Sequence, residues 1–287
     1  MSRIGVLHPG SMGISLAASA KATGHDVCWA SAGRSMQTQE RAQAQDLTDL
    51  VTVEKLCKQC DGIISICPPV ATEQVAGAVA GFGFDGLYLD ANAISPQRAQ
   101  AIADQTNAGG GHFVDGGIVG GPAWEAGKTF LHLSGPRAAE VGEWFRDGLL
   151  ETNVLGAAPT QASALKMCFA AYTKGTTALF FSILATSEAL GVREALVKQW
   201  SRSPQLAGQL AERAGRGAGS MTSRAWRWID EMEEISRTFV DAGLPGGFHV
   251  AAAEVFRRCE SLREKQDPSV ATVLQALLAK QGDGEAA

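Results

Sequence analysis

Lys166 is the residue best placed to do chemistry. It stands in the first turn of a proline-free stretch, Thr160 to Gly191, whose only charges are Lys166, Lys174 and Glu188. The dipole of a helix disfavours a cation at its N-terminus. An amine held there implies either an anionic partner or an acid–base role. The plain alternative is a lysine whose stem packs while its head reaches water. At ~100° per residue, Lys166, Thr173, Thr177 and Glu188 share one face. Thr160 is the expected N-cap, with Ser163 beside it.

The second candidate is a glycine turn, His8-Pro9-Gly10-Ser11-Met12-Gly13. It joins an apolar strand, Arg3 to Leu7, to an alanine-rich helix over Ser15 to Gly24. In this arrangement backbone N–H groups at a helix start hold a pyrophosphate. Gly10 and Gly13 fill two fingerprint positions and His8 fills the first, so the motif is degraded. The next strand, Asp26 to Ser31, runs into Ala32-Gly33-Arg34-Ser35. An acidic residue here would bind the ribose of NAD, and none is present. Arg34 and Ser35 suit a 2′-phosphate and favour NADP over NAD. An ordinary exposed loop arginine is the alternative.

The elements that must position these residues alternate. Strands are expected over Leu50 to Val53, Gly62 to Cys67, Gly86 to Asp90, His112 to Gly116, Leu131 to Ser134 and Asn153 to Leu155. Helices are expected over Ala71 to Gly81, Gln97 to Thr106 and Arg137 to Leu149. The pattern predicts an α/β, Rossmann-type doubly wound parallel sheet, with ligands outside the carboxyl ends of its strands. Gly10, Cys67, Asn92 and Gly120 all lie at such ends. Beyond Thr160 strand signals stop, and helices are expected over Val192 to Trp200, Ser203 to Gly215, Ser223 to Ala242, Gly247 to Arg263 and Pro268 to Lys280. The division expected is residues 1–158 as an NADP-binding domain and 159–287 as an all-helical substrate and dimerisation domain, with a frayed tail.

Thr160 to Gly191 read as one helix of roughly 30 residues is about 45 Å long. Apolar residues surround it (Leu165, Met167, Phe169, Leu179, Phe180, Ile183, Leu190), so burial on most sides is expected. Polar residues interrupt the run short of the length a membrane span needs. The net charge of −5 and the lack of a basic run exclude nucleic acid as a partner. The N-terminus enters a strand without a signal segment, and the six cysteines sit in apolar contexts. Reduced thiols and a cytoplasmic location are expected. Cys57-Lys-Gln-Cys60 lacks the second ligand pair that zinc requires, so no metal is expected.

In this order the residues resemble the β-hydroxyacid dehydrogenase and 6-phosphogluconate dehydrogenase superfamily, which also contains the imine reductases. IGVLHPGSMG is similar to the family's glycine-rich opening and SICPP to its element near the nicotinamide. DANAISP resembles its Asp-x-Ser-Thr-x-x-Pro segment and DGGIVGG its substrate loop. LKMCFAAYTKG resembles the interdomain helix that carries a catalytic lysine. TKG and WIDEMEEI place the chain nearest a poorly characterised branch. The resemblance implies that Lys166 is the general acid–base group and that Gly120 and Gly121 hold a substrate carboxylate. It implies that Pro9, Gly10, Ser11, Met12 and Gly13 bind the cofactor, that Asn92 lines its nicotinamide side, and that Cys67 and Pro68 lie over its ribose.

Departures from that pattern are part of the reading. Val119 replaces a serine before Gly120, Ala170 an asparagine one turn after the lysine, and a later lysine is replaced near Asp230 and Glu231. Thr173, Lys174 or Thr177 are candidates to take over substrate contacts. Trp124, Trp226, Trp228 and His249 are candidates for a bulkier pocket, with core packing the commoner role of such residues. The expectation is an NADP-dependent oxidoreductase acting on a small hydroxyacid or carbonyl. Its apolar helix needs cover, so a homodimer with the site at the subunit interface is expected. The alternatives are an imine reductase, against which the lysine argues, and an inactive NADPH-binding sensor or assembly protein.

Overall fold

The computed structural model describes residues 1–263, 265 and 269–279. It divides into two compact units, Met1–Phe169 and Ala170–Ala287. In the first, one eight-stranded sheet has the order β3-β2-β1-β4-β5-β6-β7-β8. The strands are β1 Arg3–Val6, β2 Asp26–Trp29, β3 Thr48–Asp49, β4 Gly62–Ser65, β5 Leu87–Asp90, β6 His112–Gly120, β7 Thr129–Ser134 and β8 Glu151–Gly156. All neighbours run parallel except β6 and β7, which are antiparallel.

Adjacent residues on a strand point to opposite faces, and here both faces are apolar. Ile64, Leu89 and Val114 enter one core with Ile4 and Val6, beneath α1 (Gly13–Ala22) and α6 (Ala138–Gly142). Their neighbours Ile63, Tyr88 and Phe113 enter the other, beneath α3 (Val53–Gln59), α4 (Thr72–Gly81) and α5 (Pro96–Ala108). Each fully buried Leu, Ile or Phe of this kind contributes about 1.5–3 kcal/mol. A sheet covered on both faces exposes its chemistry only at the strand ends.

Some expected elements differ. A helix α2, Met36–Ala44, follows β2 where none was expected, capped by Ser35, whose hydroxyl accepts from the Thr38 N–H. Leu50 to Val53 is not a strand: β3 stops at Asp49 and α3 begins at Val53. Apolar Leu50 and Val51 follow the edge strand and carry the turn, Val51 with φ +67°. Gly116 to Gly120 is strand, paired in register with β7, so a hairpin edge replaces the expected loop. The stretch Arg137 to Leu149 contains the short α6 and a 3-10 turn instead of one helix.

The second unit is helical. The long helix α7, Gln161–Ala189, begins in the first unit and is followed by α8 (Arg193–Trp200), α9 (Pro204–Ser223), α10 (Ala225–Asp241), α11 (Gly247–Arg257) and α12 (Val270–Leu278). Pro268, Lys280 and the tail Gly282 to Ala287 lie outside the described residues. Met167 and Phe180 are buried on α7, but Phe169, Leu179, Ile183 and Leu190 are exposed, against the expectation of burial on most sides. The best 18-residue window of α7 has mean hydropathy 1.2, so by length and composition this helix is able to span a membrane. That window is 44% buried inside the protein.

Candidate functional site

The glycine turn after β1 is built for close approach. Gly10 N–H bonds to the His8 carbonyl at 2.8 Å, and Ile14 N–H bonds to the Gly10 carbonyl at 2.9 Å. A Cβ on Gly13 would lie 2.2 Å from the His8 carbonyl oxygen, so only glycine lets α1 start this near the strand. No side chain caps α1. The Ser15 and Leu16 N–H groups bond to the Met12 carbonyl, so the first turn is closed by backbone acceptors alone, in the place where dinucleotide-binding turns receive phosphate. Pro9 is buried, Ser11 exposed, and Gly10 and Met12 half-buried along this turn.

Around the turn stand the other strand ends. Arg34, half-buried after β2, has its Nε buried without a hydrogen-bond partner. Burial lowers its guanidinium pKa, opposed by the nearby Cys67 thiol. His8 Nδ1 is also buried and unpartnered. Burial, reinforced by Arg34, brings the His8 imidazole down to about 4. Ser35 spends its hydroxyl on the α2 cap and on Thr38 Oγ1, 3.1 Å away.

Beyond β4 and β5 the chain is tied down. Asn92 is buried, and its Oδ1 accepts from the Cys67 N–H at 2.6 Å. Its Nδ2 donates to Asp90 Oδ1 at 2.8 Å and to Ser65 Oγ at 3.3 Å. Asn92 thus holds the two strand ends in register. Asp90 is fully enclosed, and burial pushes its carboxyl up to about 7. Burial pushes the Cys67 thiol up to about 12, which keeps it protonated. The segment after Pro68 is fixed by Arg98 of α5, which bonds the Pro69 carbonyl at 2.7 Å and pairs with Glu73.

The start of α7 is anchored to the sheet by residues that sequence reasoning missed. Asp115 of β6 accepts from the Ser163 N–H at 2.8 Å, the Ser163 hydroxyl at 2.5 Å and the Ser134 hydroxyl at 3.0 Å. Ser134 Oγ in turn accepts from the Ala162 N–H at 3.0 Å. Thr160, the expected cap, directly precedes α7 with φ +77°, and its carbonyl accepts from the Ala164 N–H at 2.9 Å. Burial raises the Asp115 pKa, and its hydrogen bonds with Ser163 and Ser134 oppose that rise. An acidic residue opening a glycine-rich strand end was the available signal.

This anchor seats Lys166. A Cβ on Gly117 would lie 2.4 Å from the Ala162 carbonyl oxygen and 3.1 Å from Lys166 Cβ, so Gly117 lets α7 rest on β6. Asp90 pairs with Asp115 across β5 and β6. Gly117, two residues further on, lies just past the carboxyl end of β5, and half-buried Lys166 stands over it. Val119 pairs with Phe130 and Gly120 with Thr129 on the hairpin edge, and the Gly121 carbonyl accepts from the Thr129 hydroxyl at 2.8 Å.

The second unit uses its polar candidates among its own helices. Lys174 forms a close ion pair with Glu231 of α10 and lies 5.5 Å from the Trp228 ring centroid. Thr173 is exposed, and its carbonyl accepts from the Thr177 hydroxyl at 2.9 Å. Trp228 packs edge-on against Phe256, and Trp226 lies between Arg227 and Arg263. His249 is buried against Phe239 and Phe248, and that burial lowers its pKa. Trp124, in the first unit, is exposed. Among the described residues no group of three or more His, Cys, Asp or Glu is placed to hold a metal. Cys60 interacts with Cys28 instead of completing a Cys57 ligand pair, and Arg3 Nε lies 3.2 Å from Cys28 Sγ.

A Rossmann-type sheet with a glycine turn into its first helix, buried unpartnered nitrogens on His8 and Arg34 and a seated lysine defines the class: an NAD(P)-binding domain of the dehydrogenase and reductase type. The residues fit such a cofactor by the open space at Gly10, the close approach of α1 to β1 that Gly13 permits, and the orphaned nitrogens of His8 and Arg34. Residues 3–141 match the model of the NAD binding domain of 6-phosphogluconate dehydrogenase, and residues 187–259 match a domain of unknown function, DUF1932. The chain thus carries an NAD-binding domain of this kind followed by a helical DUF1932 domain. It is 26% identical over 166 residues to an uncharacterized 28.5 kDa protein of Methanothermus fervidus, covering 58% of this chain and spanning 63% of that relative's length. Its fold is similar to that of a Mycobacterium tuberculosis 3-hydroxyisobutyrate dehydrogenase (TM-score 0.72, 16% identity, 97% of this chain and 100% of that one). It is also similar to a Streptomyces aurantiacus imine reductase (TM-score 0.55, 18% identity, 96% and 100% covered).

Proposed function

We propose that the protein is an NADP-dependent oxidoreductase that moves hydride between NADP(H) and a small hydroxyacid or carbonyl substrate, with Lys166 as general acid and base. The observation that carries this reading is the seat of Lys166 over Gly117, just past the carboxyl end of β5. Ligands of open α/β sheets bind at such ends. A bound nicotinamide supplies the hydride. As a carbonyl is reduced, charge accumulates on its oxygen, and the Lys166 ammonium stabilises that charge and delivers the proton. In the oxidative direction the amine takes the hydroxyl proton. Pro9 to Gly13, Cys67, Pro68 and Asn92 would frame the dinucleotide, Arg34 and Ser35 would meet its 2′-phosphate, and Val119, Gly120 and Gly121 would frame the substrate. Val119 offers no hydroxyl, which favours a less polar substrate than a simple hydroxyacid.

The protein is further proposed to act as a homodimer through the exposed face of α7, in the cytoplasm. A panel of hydroxyacids, carbonyls and imines followed by NADPH absorbance tests the reaction. Turnover of carbonyls or hydroxyacids in preference to imines is expected. Turnover of imines alone would transfer the protein to C=N chemistry, and NADPH binding without turnover of any class would favour a sensor.

A further inference from the structure

Cys28, Cys57 and Cys60 lie in one core of the sheet and have no part in the proposed reaction. Two of them meet beside β1. Cys28 of β2 pairs in register with Gly5 of β1, so both positions face the same side of the sheet. Gly5 has no side chain, and Cys60 Sγ fills the space this leaves: a Cβ on Gly5 would lie 3.3 Å from that sulfur. The Cys60 thiol is hydrogen-bonded to Cys28 there. Arg3, two residues before Gly5 and on the same face, holds the pair in place. Its Nε donates to Cys28 Sγ at 3.2 Å and pairs with Asp26 at 2.9 Å. Its side chain also donates to Gln59 Oε1 at 3.2 Å, and its backbone N–H donates to Asp61 Oδ2 at 2.8 Å. The residues on both sides of Cys60 are thus tied to the same arginine. The hydrogen bond from Cys60, with Arg3 beside it, lowers the Cys28 pKa, whereas that of Cys60 is pushed up. Cys60 also lines an open cleft with Ser2, His25 and Asp61, which gives a small molecule a way in.

We propose that Cys28 and Cys60 are a redox pair: hydrogen peroxide oxidises them to a disulfide that links β2 to the turn before β4, and a small thiol reduces it again. The inference stands apart from the cofactor reading above. The nucleophile is the Cys28 thiolate, whose charge Arg3 stabilises. Its sulfur attacks one peroxide oxygen, the O–O bond breaks, and the hydroxide that leaves takes up the proton that Cys28 released. Cys28 is then a sulfenic acid. The Cys60 sulfur attacks the sulfenic sulfur, the S–O bond breaks, and the hydroxyl leaves as water with the Cys60 proton. Two thiols have lost two electrons and one peroxide has become two waters. In the reverse direction two equivalents of the small thiol become its disulfide. A thiolate with a second thiol in contact is the arrangement that stops oxidation at the disulfide, short of the irreversible acids.

The test is oxidation of the native full-length protein with hydrogen peroxide, then alkylation, tryptic digestion without reductant and mass spectrometry. Peptide 22–34 carries Cys28, and peptide 59–98 carries Cys60 and Cys67. The two are expected to appear linked, with fragment ions placing the bond at Cys60, and to separate after treatment with dithiothreitol. The bond closes a loop of about 30 residues, so the oxidised protein is expected to melt at a higher temperature and to return on reduction. Cys60→Ser should lose both the linked peptide and the shift in melting temperature. The chain unfolded in guanidinium is expected to give a mixture of pairings instead. The linked peptide is read in wild type, so the outcome does not depend on a variant that folds. Native protein without the Cys28–Cys60 link, or with Cys28 bonded to any other cysteine, overturns the inference. So does the same link as the sole product of the unfolded chain, or an equal rise in melting temperature in Cys60→Ser.

Discussion

Lys166 is one amine among many on the surface, and its backbone seat is what singles it out. If it delivers the proton, Lys166→Met lowers kcat by about 10²–10⁴-fold, the usual contribution of a positioned acid–base group. NADPH affinity stays near the wild-type value. Retained turnover in that variant would take the lysine out of the reaction. If Arg34 meets the 2′-phosphate as proposed, it discriminates between cofactors by a single charge-assisted contact of about 1.5–3 kcal/mol. Arg34→Ala is therefore expected to weaken NADPH binding about 10- to 100-fold while leaving NADH nearly unaffected. Equal losses for both would assign Arg34 to the shared diphosphate. Asp90 has a different consequence. Its folded pKa, about 7, lies above the ordinary value of 3.8. A raised acid contributes stability below its unfolded pKa and loses it as pH rises through the folded one. Denaturation midpoints are thus expected to fall between about pH 4 and about pH 7, and Asp90→Asn to flatten that slope and be the more stable protein at pH 8. An unchanged slope in the variant would mean another group carries it.

The elements show why chemistry and anchoring were unequally legible. Strands β1, β2, β4 and β5 announce themselves as short apolar runs broken by glycine or polar turns, and α7 by its length. The candidates Gly10, Arg34, Cys67 and Asn92 follow from sheet topology alone, because strand ends are fixed once strands are. Asp115 does not follow, since its partners Ser134 and Ser163 are distant in sequence and meet only through packing. The hairpin of β6 and β7 was hidden because Gly116, Gly117 and Gly120 read as a loop, although pairing with Thr129 to Leu133 holds them extended. Asp115 is a positioning residue whose carboxylate fastens α7 and, through it, Lys166. Asp115→Ala leaves the Ser163 donors without their acceptor and costs about 3 kcal/mol, seen as a lower denaturant midpoint. Asp115→Asn, which keeps one acceptor oxygen, is expected to recover part of that stability. Both variants should lower kcat more than they raise KM, because a displaced amine impairs the proton step more than binding. A pure stability loss with wild-type kcat would separate the anchor from catalysis.

At the scale of the whole protein, α7 presents an unusual exposed face. Phe169, Tyr172, Leu179, Ile183 and Leu190 are 46%, 68%, 46%, 38% and 70% exposed. With Thr176 and Thr186 they repeat at alternating spacings of three and four residues, the seam of helices that pack against one another. A contiguous apolar stripe of this kind is uncommon on a monomer. A symmetric pair of α7 helices would cover each stripe with the same stripe of a second copy, which a two-fold interface requires. Light scattering at micromolar concentration is expected to give twice the chain mass of 30.0 kDa. Leu179→Glu combined with Ile183→Glu places charges on the seam and should yield monomers, with a melting temperature that no longer rises with protein concentration. A wild-type monomer at that concentration, or a charged double variant that still dimerises, would place the contact elsewhere.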